Sequence, residues 1–147
     1  MSKRRVVITG MGIVSPVGST LKGAWENVRE GHSGIVPVEG FDATDFPTRI
    51  AGMVQGFDAD DYLPKKDQRK NDPFIHYAVG ATVEAIRDSG LEITEENGHR
   101  IGVALGAGIG GIKMIEEASI RLQEGGVRKV SPFFIPGSII NMASGQV

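Results

Sequence analysis

Ile101-Gly102-Val103-Ala104-Leu105-Gly106-Ala107-Gly108-Ile109-Gly110-Gly111 is the stretch on which the fold class turns. A short apolar run enters a chain of glycines, and an amphipathic pattern follows to about Gln123 before Gly125-Gly126 breaks it. An apolar run of this length, bounded by turn residues, reads as a buried strand of the parallel kind. The glycines turn the chain into the helix behind them. Strand, glycine turn and helix in succession are the unit of an α/β fold with a mainly parallel sheet.

Toward the N-terminus the same grammar recurs. Val6-Val7-Ile8-Thr9, closed by Gly10, reads as another buried strand, with a glycine- and proline-marked connection running on to Gly18. Ser19 or Thr20 can cap a helix with Leu21, Ala24, Trp25 and Val28 on one face, and Gly31 sits at its C′ position. Residues 32–58 read as irregular apart from a strand at 50–54, and 58–62 as one helical turn ended by Pro64. The clearest helix begins at Pro73, behind Asp72 as N-cap. Its apolar face carries Ile75, Ala78, Val79, Thr82 and Ile86, and Gly90 stops it. A polar linker covers 92–99. The segment Ser131-Pro132-Phe133-Phe134-Ile135-Pro136-Gly137-Ser138-Ile139-Ile140-Asn141-Met142 is the most apolar of the chain. Its second half reads as helical with no stop signal before Val147, the pattern of a domain continued beyond that residue.

Composition narrows the function classes. The 21 glycines among 147 residues are about twice the usual ~7% and imply many tight turns. A net charge of −2 argues against a nucleic-acid binder, which needs a basic face. No stretch approaches the ~20 apolar residues of a membrane span. The start Met1-Ser2-Lys3-Arg4-Arg5 is basic, but the apolar run behind it is too short for a secretion signal, so a cytoplasmic protein is expected. With no cysteine, the chain holds no disulfide, thiolate metal site or cysteine nucleophile.

Gly106-x-Gly108-x-x-Gly111 matches the dinucleotide fingerprint, in which glycines let backbone N–H groups approach a pyrophosphate at a helix N-terminus. The acidic residue the fingerprint expects about 20 positions on is missing. A turn that merely permits close packing is the competing reading. Lys65-Lys66-Asp67-Gln68-Arg69-Lys70 gathers four cations ahead of the long helix, either a solvated turn or a docking patch for an acidic partner. His32, His76 and His99 are scattered without metal-ligand spacing, and none reads as catalytic. The acidic pairs Asp60-Asp61 and Glu116-Glu117 read as exposed helix residues. Phe133-Phe134-Ile135 and Ile139-Ile140 are either core or the wall of an apolar site.

Taken in order, these pieces resemble the β-ketoacyl-ACP synthases. The resemblance is carried by Arg4-Arg5-Val6-Val7-Ile8-Thr9-Gly10-Met11-Gly12 with Ser15-Pro16-Val17-Gly18, by Gly31-His32-Ser33-Gly34-Ile35, and by Asp72-Pro73-Phe74-Ile75. It continues through Asp88-Ser89-Gly90-Leu91, Arg100-Ile101-Gly102-Val103, Gly108-Ile109-Gly110-Gly111, and Ser131-Pro132-Phe133-Phe134-Ile135-Pro136 with Asn141-Met142. Ile109 and the Phe133-Phe134 pair favour the synthase II type.

The resemblance implies an α/β thiolase-like fold, a layered αβαβα sandwich acting as a homodimer, with residues 1–147 as the N-terminal part of the synthase domain. It implies decarboxylating condensation of malonyl-ACP with an acyl thioester, with neither metal nor organic cofactor. Ile109 is expected to line the acyl pocket and Phe134 to close it across the dimer interface. Lys65, Lys66, Arg69 and Lys70, with Arg128 and Lys129, are expected to meet the acidic acyl carrier protein. The family's cysteine nucleophile and its two histidines belong to motifs C-terminal to Val147, so the 147 residues alone are expected to be inactive. The rival readings are a Rossmann-type nucleotide-binding domain and a non-catalytic homologue of the chain-length-factor kind.

Overall fold

The computed structural model describes residues 4–147. Thr20 caps α1 (Leu21–Glu30), its hydroxyl accepting the Gly23 N–H at 3.2 Å. Gly31 ends the helix in the left-handed region at φ 74°, which an L side chain rarely adopts, and the His32 N–H returns to the Asn27 carbonyl at 2.9 Å. Two short strands follow, β1 (Ile35–Pro37) and β2 (Ile50–Gly52), antiparallel with Val36 opposite Ala51. A 3-10 turn at Ala59–Asp61 is capped by Asp58. Next come α2 (Lys65–Gln68), α3 (Pro73–Ser89), α4 (Ile112–Gly125), a 3-10 turn at Val127–Lys129, α5 (Phe134–Ser138) and α6 (Met142–Gln146).

Helices α1, α3 and α4 fall where the sequence places them, and β2 lies within the strand expected at 50–54; the two expected buried strands do not form. The β-branched run Val6-Val7-Ile8-Thr9 belongs to no ladder, and Val6 is 94% exposed. Ile101-Gly102-Val103-Ala104-Leu105 belongs to none either; its Leu105 N–H donates to the Ser144 hydroxyl at 3.3 Å. The only sheet among the described residues is the antiparallel pair, not the parallel array expected. A β-branched run takes up ladder geometry only where a neighbouring strand supplies the hydrogen bonds, and a pattern of apolar residues does not name that neighbour. The strand β1 went unforeseen because three residues ending in proline carry too little signal.

The chain divides into two compact units. The first takes the residues up to Phe57 together with Ala81–Leu91. In it the opening glycine turn lies flat on the second half of α3. A Cβ at Gly12 would overlap the Ala81 carbonyl oxygen and stand 2.7 Å from the Ala85 nitrogen, and one at Gly10 would stand 2.5 Å from the Ser89 nitrogen. The Met11 N–H between them donates to the Asp88 carboxylate at 2.9 Å. The second unit takes Asp58–Gly80 and Glu92–Val147. Its buried apolar residues are Ile75, Val79 and Ala143, and Asn71, Asp72 and Ser138 are its buried polar ones.

Candidate functional site

Asp72 organises the second unit. It stands before Pro73, whose missing N–H costs nothing in the first turn of α3. Its Oδ1 accepts from the Phe74 N–H at 3.4 Å and its Oδ2 from the Met114 N–H at 2.8 Å. One carboxylate therefore serves the first turns of two helices, α3 and α4. Its own N–H donates to the Gly137 carbonyl at 3.1 Å, and the Gly111 N–H donates to the Ser138 carbonyl at 2.8 Å. The Ser138 hydroxyl turns back onto the Phe134 carbonyl at 2.6 Å. The starts of α3 and α4 and the end of α5 are thus tied at one point, with Asp72 and Ser138 each only 5% exposed.

This knot decides what the glycine fingerprint does. A pyrophosphate bound there would need the free N–H groups and positive pole of the α4 N-terminus. The Asp72 carboxylate already holds that place, bonded to Met114. Gly111 is used for close approach instead: a Cβ would stand 2.6 Å from the Ser138 Cα and 3.1 Å from the Asp72 Cβ. The nucleotide-binding alternative is displaced, because the anion its site would recruit is built into the chain. Sequence reading saw Asp72 as a cap for one helix. Its second role links residues 42 positions apart and has no local signature.

Ile109 lies in the turn before Gly110, and its side chain is 66% exposed. Gly110 packs on the segment that ends α5: a Cβ there would stand 2.7 Å from the Ser138 carbonyl oxygen and 2.8 Å from the Ile140 side chain. Phe134 opens α5 and is half-buried. The turn bearing Ile109 and the helix bearing Phe134 are therefore docked on each other through Ser138. Gly137 is a second close approach, facing the Lys70 carbonyl and lying 2.9 Å, from an added Cβ, to the Met114 thioether.

The four cations ahead of α3 split into two pairs. Lys65 is bridged to Asp60 at 3.1 Å and Lys70 to Asp67 at 2.9 Å. The Gln68 amide, then Lys65, holds the Asp60 carboxyl below its ordinary value, and Lys70 does the same for Asp67. The Lys70 ammonium also lies 5.4 Å from the centre of the Phe133 ring, tying the basic segment to the start of the apolar one. Lys66 and Arg69 form no ion pair among the described residues. Arg128 and Lys129 sit on the 3-10 turn that follows α4. They are separated from the α4 N-terminus by its 14 residues, about 20 Å of helix. The structure thus brings Ile109 and Phe134 into one neighbourhood and leaves the cations in two groups.

The profile described as "Beta-ketoacyl synthase, N-terminal domain" matches residues 3–147. The chain is 57% identical, over its whole length, to the 3-oxoacyl-[acyl-carrier-protein] synthase 2 of Vibrio harveyi, of which it covers 35%. It therefore spans about a third of the length of the curated relatives it matches. Among solved structures, a β-ketoacyl synthase from Burkholderia phymatum aligns with TM-score 0.79 and 27% identity, over 99% of this chain and 36% of that one. The ishigamide ketosynthase/chain length factor aligns with TM-score 0.80 and 25% identity, over the same shares. Such coverage places the helices and turns described above in the thiolase-like fold of the ketosynthases. Matched across residues 3–147, the chain belongs to the β-ketoacyl synthase family and makes up part of that family's N-terminal domain.

Proposed function

We propose that this chain is the front part of a 3-oxoacyl-ACP synthase of the second type, which condenses malonyl-ACP with an acyl thioester and releases carbon dioxide. The observation that carries this reading is the 57% identity to a relative of that name along all 147 residues. A relative this similar also favours a synthase over a non-catalytic chain-length partner. Residues 1–147 supply the N-terminal part of one synthase domain, and the complete protein works as a cytoplasmic homodimer. The nucleophilic cysteine lies elsewhere in that protein, since these residues include none.

Within this scheme Ile109 and Phe134 shape the acyl pocket. Support comes from the exposed side chain of Ile109, which is free to face an acyl tail, while Phe134 at the start of α5 closes the pocket across the dimer interface. Lys66 and Arg69 are the cations left to attract an acidic carrier, because Lys65 and Lys70 already have carboxylate partners. Arg128 and Lys129 form a second contact about one helix length away. The experiment is a condensation assay of the full-length protein encoded with this chain, using labelled malonyl-ACP and an acyl-ACP. Formation of 3-oxoacyl-ACP with stoichiometric carbon dioxide is expected. A folded full-length protein that makes neither would sink the reading.

A further inference from the structure

The turn that carries Ile109 is held from one side only. Ahead of it, Gly106 and Gly108 are open: a Cβ on either would meet nothing within 4 Å. Residues 106–109 make no hydrogen bond among the described residues, and the last anchor before them is the Leu105 N–H on the Ser144 hydroxyl. Behind Ile109 the chain is clamped. Gly110 turns in the left-handed region at φ 79°, and the Gly111 N–H donates to the Ser138 carbonyl at 2.8 Å. A Cβ on Gly110 would stand 2.7 Å from that carbonyl oxygen and 2.8 Å from Cγ2 of Ile140. The first contact is backbone, common to any residue at 138. The second is a side-chain methyl, and it depends on which residue stands at 140. Ile140 is suited to act as a fixed stop. Its Cγ2 is bonded directly to Cβ, and β-branching restricts χ1, so the methyl follows the backbone. That backbone is anchored in turn: the Ile140 carbonyl accepts from the N–H of the buried Ala143 at 3.4 Å.

We propose that Ile140 is a positioning residue for acyl-chain selection: its Cγ2 methyl, seated on Gly110, sets how far the turn carries Ile109 toward the acyl tail. The proposal rests on the reading of Ile109 as a wall of the acyl pocket and names the residue that places that wall. Without the methyl, Gly110 settles into the vacated space and Ile109 withdraws with it. A longer acyl tail is then admitted. Ile140 itself touches no substrate in this scheme, and it acts through the backbone of the turn.

The test assays variants of the full-length synthase with acyl-ACP substrates of increasing length. Ile140→Ala, which removes the methyl, is expected to raise the ratio of kcat/KM for the longest acyl-ACP over that for a short one about three- to tenfold, a scale set by small changes of fit in an apolar pocket. Ile140→Val keeps Cγ2 and should keep the wild-type ratio. Turnover of the short substrate should stay unchanged in both, since fold and assembly are intact. In an Ile109→Ala background, Ile140→Ala should no longer alter the ratio, a non-additivity that lost stability alone does not produce. A wild-type ratio in Ile140→Ala overturns the proposal, and so does a fall in turnover that is equal at every chain length. Ile140→Thr also keeps Cγ2 and should match wild type; a shifted ratio there overturns the proposal even if Ile140→Ala does not fold. If Ile109→Ala leaves the ratio unchanged, the reading of Ile109 falls and this proposal with it. If Ile109→Ala shifts the ratio and Ile140→Ala does not, only the role of Ile140 is lost.

Discussion

A single carboxylate, Asp72, carries more of the local architecture than any other side chain described. Asp72→Ala removes the cap of α3 and the side-chain acceptor of the Met114 N–H together. At about 1 kcal/mol per lost cap, the loss in denaturant unfolding should be roughly 2 kcal/mol. Gly137→Ala tests close approach: its methyl group would enter the Lys70 carbonyl, and overpacking of this kind costs about 1–3 kcal/mol. A variant as stable as wild type would mean that α5 can move away from Lys70 at no cost. Ile109 offers a functional test at the same scale. Ile109→Phe should shorten the longest acyl chain the full-length synthase extends while leaving short substrates nearly unaffected, read from product lengths. An unchanged product profile would remove Ile109 from the acyl pocket.

At the scale of elements, α2 is a short helix whose charges are half committed. The Asp60 and Asp67 carboxyls are both held below the ordinary value of 3.8, by the Gln68 amide and Lys65 in one case and by Lys70 in the other. A depressed carboxyl contributes its stabilisation above the unfolded pKa and loses it as pH falls through the folded one. The two bridges should therefore persist at pH 5 and open only below pH 3.8, releasing Lys65 and Lys70. Side-chain carboxyl titration by NMR checks this, and midpoints above 3.8 would contradict it. Both groups are exposed, so little global stability should follow the titration. The same division predicts unequal effects on the carrier. Arg69→Glu should raise the KM for carrier-bound substrate well above that of Lys65→Glu, with kcat nearly unchanged in both, because Lys65 already answers to Asp60.

Across the whole molecule, a small buried core coexists with large exposed apolar residues. Ile112, Ile115, Ile120 and Leu122 are exposed along α4, as are Ile135, Ile139 and Ile140 beyond it. Apolar surface on this scale marks an interaction face. The 147-residue chain expressed alone should self-associate, and a monodisperse monomer in light scattering would refute this. Much of the helical plan was legible from sequence, because caps and stop glycines act within a few residues: Thr20 and Gly31 bound α1, and Asp72 and Gly90 bound α3. The motifs in order also marked the family, and Ile109, Phe134 and the cation cluster could be named from them. The sequence could not tell whether Val6-Val7-Ile8-Thr9 and Ile101-Gly102-Val103-Ala104-Leu105 find ladder partners, since pairing is a property of two segments. Nor could it tell which cations stay unpaired. Least visible was the work of the fingerprint glycines, and there the sequence by itself determined only that the chain would turn sharply into a helix. Tertiary structure decided that the anion at the helix end is Asp72 of the same chain, because a carboxylate 42 residues away reaches Met114 only after folding has brought the two helix starts together.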